Sequence, residues 1–427
     1  MKSLYNIFIS LLIFGMRIGA LFNYKLKRGL AGRRQSCDRI SEKISKNDRV
    51  IWMHAASLGE YEQGLPVLEK LQEKFPNYKI LVTFFSPSGY ENVVNKKNIA
   101  DVVCYLPFDL EKWIKEFADH FQTEIFFTVK YDYWYNLLEY LKKRGTKIYV
   151  ISALFYENQV FFSPYGGWFR KMLKKNIDWF FHQTKTSYGL AKTIGIDNAS
   201  IAGDTRFDRV KKLRERDNFV ELISEFKNQK SLVVIGSSWE AEERIAQILS
   251  KGKALKIIIA PHDLKRVEIL KQNLPKAILY SNVVECLVKN ECNDEVKQIH
   301  LNDLQKNQVL IIDCIGLLSK LYSYADFAVV GGGFHSKGLH NILEAATFGI
   351  PVFFGNKYQK NPEADGLIAH HGAKSFEDEF VAGNYILELL KTPEILTEMG
   401  KKANDFVNSQ PNSSEIIVQK IMKYIQK

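Results

Sequence analysis

The sequence predicts an α/β protein of two Rossmann-like domains, each a parallel sheet with helices on both faces, facing one another across a cleft. Three observations carry this. From residue 49 onward, short apolar runs alternate with helix-length amphipathic stretches, the pattern of a parallel sheet covered on both sides. The alternation halts in a charged stretch, 209–230, and then starts again. Finally, 427 residues at 46% hydrophobic and 25% charged suffice for two or three cores. That composition excludes a polytopic membrane protein, a coiled coil and a disordered chain.

The elements follow in order. In the first series, strands are predicted at 50–54, 79–85, 102–106, 124–129, 147–152, 179–182 and 200–203, each about one helix length from the next. The helix after the first strand carries Leu65, Leu68, Leu71 and Phe75 at helical spacing. Ser86-Pro87-Ser88 opens another, with proline at an early position. In the second series, strands are predicted at 232–236, 255–260, 309–313, 327–330 and 351–354, with a helix at 240–249. The resulting division is a segment 1–34, a first domain 35–212 and a second domain 213–427. Ligands of open α/β sheets sit beyond the carboxyl ends of the strands, which selects the loops 55–60, 86–88, 130–134, 236–239, 261–265 and 331–341.

The first fifty residues hold eleven Lys/Arg against three Asp/Glu, a net +8 of the chain's +11. The folded body is thus nearly neutral and lacks the basic excess of a nucleic-acid enzyme. Residues 4–22 are mostly apolar, with Arg17 near their end, and Lys25, Lys27, Arg28, Arg33 and Arg34 follow. The length is marginal for spanning a bilayer, and no small-residue cleavage site follows the run. A polybasic stretch suits anionic headgroups and is retained on the cytoplasmic side. Membrane contact is therefore expected over an ordinary packed helix, with spanning and interfacial placement both open. Five cysteines, odd in number and without CxxC spacing, indicate reduced thiols in a cytosolic compartment and no structural zinc.

No P-loop, HExxH or GxSxG elbow is present, and no GxGxxG follows a strand with an acid about twenty residues on. Three constellations remain. His54-Ala55-Ala56-Ser57-Leu58-Gly59-Glu60 ends a strand in small residues and puts a carboxylate at a helix start. Glu60 is there either half of a Ser-x-x-Glu capping box or a general base toward a hydroxyl. Gly331-Gly332-Gly333-Phe334-His335-Ser336-Lys337-Gly338-Leu339-His340-Asn341 is followed by Glu344 and a helix. It offers glycine amides and a helix N-terminus to a phosphate, and Glu344 to ribose hydroxyls; the alternative is a flexible loop capped by Asn341. Asp204-Thr205-Arg206-Phe207-Asp208 sets an arginine between two acids, either for carboxylate or phosphate recognition or as a structural ion-pair cluster.

Taken in order, HAASLGE (54–60), TFFSPSGYE (83–91), LPFD (106–109), DYWYNLL (132–138), AGDTRFDRV (202–210), VIGSSWEAEE (234–243), VVGGGF (329–334), HNILEAATFGIPV (340–352) and Gly355 resemble the 3-deoxy-D-manno-octulosonic acid (Kdo) transferases of lipopolysaccharide biosynthesis. These are glycosyltransferases of GT-B architecture, and the resemblance runs from about residue 5 to 410. It implies CMP-Kdo as donor and a lipid A precursor of the lipid IVA type as acceptor. It also implies transfer with inversion, and a place on the cytoplasmic face of the inner membrane through the N-terminal segment. Glu60 becomes the expected catalytic base. Contacts to acceptor or Kdo are expected from His54, Ser57, Lys130, Asp132 and Arg206. Contacts to CMP are expected from Ser237, Ser238, Pro261, His262, Gly332, Gly333, Lys337, Asn341 and Glu344. Neither a metal, a cofactor nor a nucleic acid is called for.

The chain departs from the family pattern at several points. Lys130 stands where an acid is usual and Tyr135 where a proline is. Leu339 replaces a glycine, and Ser238-Trp239 replaces Thr-His. Pro261-His262-Asp263 replaces Pro-Arg-His, which leaves Lys265 and Arg266 as candidates for the missing nucleotide-contacting arginine. Two other readings remain: a glycosyltransferase or epimerase of the same fold using a UDP-sugar, and an inactive membrane-bound scaffold.

Overall fold

The computed structural model describes residues 1–252, 255–288, 294–336 and 338–425. They form two units: Met1–Arg209 joined by Pro411–Lys427, and Val210–Gln410. The first unit is built on β1 (Arg49–Ala55), β2 (Lys79–Phe84), β3 (Val102–Tyr105), β4 (Gln122–Val129), β5 (Lys147–Ala153), β6 (Trp179–His182) and β7 (Ala199–Ile201). Their spatial order is β3-β2-β1-β4-β5-β6-β7, and every neighbouring pair is parallel. The second unit holds β8 (Ser231–Ser238), β9 (Leu255–Pro261), β10 (Ile278–Leu279), β11 (Val309–Ile311), β12 (Phe327–Val330), β13 (Val352–Gly355) and β14 (Ala373–Phe376). The order there is β10-β11-β9-β8-β12-β13-β14, again parallel throughout.

Burial on both faces explains why these strands read as unbroken apolar runs. In β1, Val50 and Trp52 point into one core with Leu81, Phe126 and Ile148. Ile51 and Met53 point into the other with Ile80, Val82, Ile125 and Phe127. The period of two divides each strand between the helical layers above and below. Two strands escape the sequence pattern. Ile278–Leu279 is two residues long, and Ala373–Phe376 reads Ala-Lys-Ser-Phe, with no apolar run to mark it.

The chain's last segment returns to the first unit, so a second domain reaching to 427 is not what forms. Helix Ser413–Ile425 buries Ile417, Val418 and Ile421 in the core that holds Met53 and Val82. Lys70 pairs with Glu415 at 2.7 Å.

The N-terminal segment is not a separate body either. Helix α1 (Lys2–Gly19) is followed by α2 (Tyr24–Arg34) and α3 (Ser36–Ser41). Ile9 and Ile13 of α1 are buried beside Phe108, with Trp113 and Trp134 packed against them. The Tyr5 hydroxyl donates to Asp109 Oδ2 at 2.6 Å, and Lys2 pairs with Glu111 and Glu139 at 3.0 Å each. The opposite face of α1 carries Leu4, Ile7, Phe8, Leu11, Phe14 and Ile18, all exposed. Leu21 and Phe22 beyond it are 78% and 88% exposed. No helix among the described residues is long and apolar enough to cross a membrane. Arg33 drops out of the basic cluster, because its guanidinium donates to the Phe85 and Gly29 carbonyls and lies over the Phe85 and Phe108 rings.

Candidate active site

In each sheet the chain leaves the central strand in one direction and later resumes on its other side. In the first unit this happens between β1 and β4, in the second between β8 and β12. The crevice beyond the carboxyl ends at such a switch point is where open α/β sheets bind ligands. Sequence motifs and topology coincide there. Glu60 follows β1 and Lys130 follows β4, while Ser237 and Ser238 end β8, Trp239 follows it, and the glycine run follows β12.

In the first unit, helix α4 (Leu58–Lys74) starts at Ser57, whose hydroxyl accepts from Glu60 N at a long 3.4 Å. A capping box would return the Glu60 carboxylate to the Ser57 amide. Instead Glu60 Oε2 accepts from Ala56 N at 2.6 Å, and Oε1 makes no hydrogen bond among the described residues. One oxygen fixes the side chain and the other is unengaged among the described residues. Burial and the Asp132 charge raise the Glu60 carboxyl above its ordinary value, against Lys130, the Ala56 amide and His54. A buried carboxyl held up in this way is a stronger base once ionised. A Cβ on Gly59 would meet nothing within 4 Å, so packing does not demand glycine beside Glu60.

His54 is fully buried, with Nε2 on Asp132 Oδ2 at 2.9 Å and Nδ1 on Thr83 Oγ1 at 3.0 Å. The Trp52 indole donates to the same Thr83 hydroxyl at 2.8 Å. Nδ1 also lies 3.1 Å from the Thr83 carbonyl, so the ring is held between Asp132 on one side and both oxygens of Thr83 on the other. Both ring nitrogens are occupied, and His54 positions Asp132. Trp52 and Thr83 were not legible as site residues, being ordinary strand residues in sequence.

Arg206 is held in an ion pair. Its Nε and Nη2 donate to Asp204 Oδ2 at 2.8 and 2.6 Å, and Gln63 of α4 donates to Asp204 Oδ1 at 2.7 Å. Burial would raise the Asp204 carboxyl, but the Arg206 charge and these hydrogen bonds hold it below its usual range. The missed partner is Gln63, fully buried one turn after Glu60. It ties the third constellation to the helix that carries the first.

In the second unit, Ser238 pairs in register with Pro261, and His262 N donates to Ser238 O at 3.0 Å. The Ser238 hydroxyl is buried without a hydrogen-bond partner. Trp239 stacks on His262 at 4.6 Å and meets His335 edge-on at 4.7 Å, while His262 and His340 lie 4.6 Å apart. Burial, with His262 and His335 beside it, pushes the His340 imidazole down to about 4. The structure thus gathers Ser238, Pro261 and His262 with three aromatic rings that sequence reading gave no role.

The glycine run is shaped first by packing. A Cβ on Gly331 would strike Ser237 O, and one on Gly333 would strike Gly355 N and O, each well under 3 Å. Gly332 has φ +90, and its N–H donates to Glu242 Oε1 at 3.1 Å, so this amide is not free for a phosphate. Glu242 also accepts from Trp239 N at 2.9 Å and joins the loops after β8 and β12. The helix after Asn341 is a single turn, Leu343–Ala346, too short for an appreciable dipole. Asn341 receives Leu343 N at 3.1 Å and reaches Glu344 at 3.2 Å. Arg266 cannot replace the missing arginine, since Glu243 holds it at 2.6 and 2.8 Å and Glu240 at 3.2 Å. Lys265 is exposed and remains a candidate. Lys337 lies outside the described residues. Among those residues no group of three or more His, Cys, Asp or Glu is placed to hold a metal ion.

Residues 30–209, which contain β1 to β7 and Glu60, match the family model described as 3-Deoxy-D-manno-octulosonic-acid transferase (kdotransferase). The match falls within the first unit. It is 25% identical over 337 residues to the 3-deoxy-D-manno-octulosonic acid transferase of Aquifex aeolicus, covering 78% of this chain and 83% of that one. To the enzyme of the same name from Chlamydophila psittaci it is 25% identical over 384 residues, 88% and 85% of the two chains. These relatives make the protein a glycosyltransferase. Among solved structures it is similar to UDP-GlcNAc 2-epimerase from Neisseria meningitidis bound to UDP-GlcNAc, with a TM-score of 0.57 at 16% identity over 88% of this chain and all of that one. That likeness speaks for the fold alone: two Rossmann-like units, as in GT-B enzymes.

Proposed function

We propose that the protein transfers Kdo from CMP-Kdo to a hydroxyl of a lipid A precursor, with inversion, at the cytoplasmic face of the inner membrane. The observation that carries the reading is Glu60, at the switch point of the unit that matches the Kdo transferase model, with Oε2 pinned and Oε1 unengaged. Inversion is a single displacement. Glu60 Oε1 takes the acceptor proton as the oxygen bonds to the anomeric carbon, and the bond to the CMP phosphate breaks with its electron pair. The second unit binds CMP through Ser237, Ser238, Pro261, His262, Gly333, Lys337, Asn341 and Glu344, with Trp239 a stacking surface for the base. Gly332 shapes that loop through Glu242. Ser57, Lys130 and Asp132 face the acceptor or Kdo, and no metal is required. The exposed face of α1 lies in the membrane plane as an interfacial helix, with Lys25, Lys27 and Arg34 at the headgroups.

The deciding experiment generates CMP-Kdo in situ and follows a tetraacylated lipid A precursor by mass spectrometry, with and without chelator. A gain of one or more Kdo units in the wild type, chelator-insensitive and lost at least a hundredfold in Glu60→Gln, is the expected outcome. Full activity of Glu60→Gln removes the base assignment. Protection of the protein by UDP but not CMP redirects the reading to a UDP-sugar enzyme.

A further inference from the structure

Lys130 stands at the carboxyl end of β4, one strand from the loop that carries Glu60. Its backbone is left-handed, φ +65, a conformation that side chains with a Cβ adopt at a cost. Two hydrogen bonds hold it so: Lys130 N donates to Ile151 O at 3.0 Å, and the Tyr133 hydroxyl donates to Lys130 O at 3.1 Å. Tyr133 is buried, so the turn is anchored from the core. The half-buried side chain it presents makes no hydrogen bond or ion pair among the described residues, although two carboxylates stand beside it. Asp132 is already engaged by His54, and Glu60 has one oxygen on the Ala56 amide.

An ammonium kept in a strained turn, near two carboxylates and bonded to neither, is placed for something that is not part of the chain. We propose that Lys130 is a specificity-determining residue whose ammonium receives an anionic group, phosphate or carboxylate, on the acceptor beside the hydroxyl that Glu60 deprotonates. This rests on the transferase reading above. Without a cation there, such an anion would meet the charges of Glu60 and Asp132 alone and be repelled. The groups facing Glu60 are Asp132, Tyr131 and Lys130 from the loop after β4, His54 from β1 and the Ala56 amide. Of these, Lys130 is the first to oppose the rise of the Glu60 carboxyl, so the same ammonium favours the ionised form of the base.

The test uses full-length Lys130→Met and Lys130→Arg. The Glu60 carboxyl is titrated by carbon-13 NMR, its signal assigned with Glu60→Gln, and the acceptor KM is measured on three acceptors. These are the bisphosphorylated precursor, the precursor stripped of phosphate, and the precursor already carrying one sugar acid. In Lys130→Met the Glu60 titration moves up and the KM for anionic acceptors rises at least tenfold; Lys130→Arg restores both. The stripped precursor is insensitive to Lys130→Met if phosphate is the anion. If the carboxylate is, the effect appears only on the acceptor that already carries a sugar acid. An unmoved titration with unmoved KM for every acceptor overturns the assignment. A wild type that transfers nothing overturns the transferase reading instead, and the two are separable because the titration needs no turnover.

Discussion

Glu60 pays for its position in stability, and the sign of that cost can be measured. Its carboxyl is raised in the folded state, by burial first and Asp132 second. Folding therefore favours the protonated form, and stability falls as pH rises through the raised value, above the ordinary 4.5. Glu60→Gln keeps an acceptor for the Ala56 amide and removes the charge. Its melting temperature should exceed the wild type's at pH 7.5, and the difference should close toward pH 4. Asp204 has the opposite sign. Held below its usual 3.8, it contributes stability that is lost only as pH falls below that value. Arg206→Ala leaves a buried carboxylate short of its cation and should cost about 3–5 kcal/mol at neutral pH; Arg206→Lys should recover part of it. Urea denaturation at pH 7 and at successively lower pH below 3.8 checks this, because the penalty must shrink as Asp204 becomes protonated in the wild type as well. At this scale the sequence disclosed which residues matter better than what they do. Glu60 was legible as an acid at a helix start, but no spacing rule tells that its carboxylate would bond Ala56 and not Ser57. His54 and Arg206 look like ligand contacts because both residue types serve that role. Their partners Thr83, Asp132 and Gln63, distant in sequence, were not legible beforehand.

Strand position is the part of the fold most legible beforehand, because a strand buried on both faces must be apolar along its whole length. Where burial fails, so does legibility. The edge pair β10 and β14 has half-exposed or polar residues, and its pairing is fixed by tertiary neighbours. The helix after Asn341 stops at Ala346, and a turn ending at Gly349, at φ +74, leads on to β13. Helix Ser413–Ile425 gave no hint of which unit it joins, because an amphipathic stripe states that a face is buried and not against what. Its contacts yield a prediction. Ile417 is fully buried in the core of the first unit, so Ile417→Asp should destabilise that unit by several kcal/mol. Limited proteolysis followed by mass mapping should then show new cleavage within 1–209 while 210–410 stays protected. Cleavage confined to 210–410 would instead assign the helix to the second unit.

For the whole molecule, charge and apolar surface are distributed around one end of the chain. The +8 of the first fifty residues flanks a helix whose inner face is committed to the protein and whose outer face is apolar and bare. A contiguous exposed apolar stripe on a polar-rimmed surface marks an interaction site, and its neighbours Lys25, Lys27 and Arg34 support the anionic lipid surface proposed above as its partner. Spanning and lying flat make different demands. A spanning helix needs lipid on all sides, but Tyr5, Ile9 and Ile13 are bound to Asp109, Phe108 and Trp113. Pulling α1 into a bilayer would break the Tyr5–Asp109 hydrogen bond and expose a core, so the docked arrangement favours the interface. The combined substitution Phe8→Glu, Leu11→Glu and Phe14→Glu touches only exposed positions and should leave the melting temperature within a few degrees. Each lost apolar side chain removes about 1.5–3 kcal/mol of transfer, so binding to vesicles containing anionic lipid should fall by well over tenfold in co-sedimentation. Tyr5→Phe separates the alternatives. If α1 acts docked, loosening it should weaken vesicle binding together with protection of α1 from hydrogen exchange; if α1 inserts on its own, the same substitution should strengthen binding.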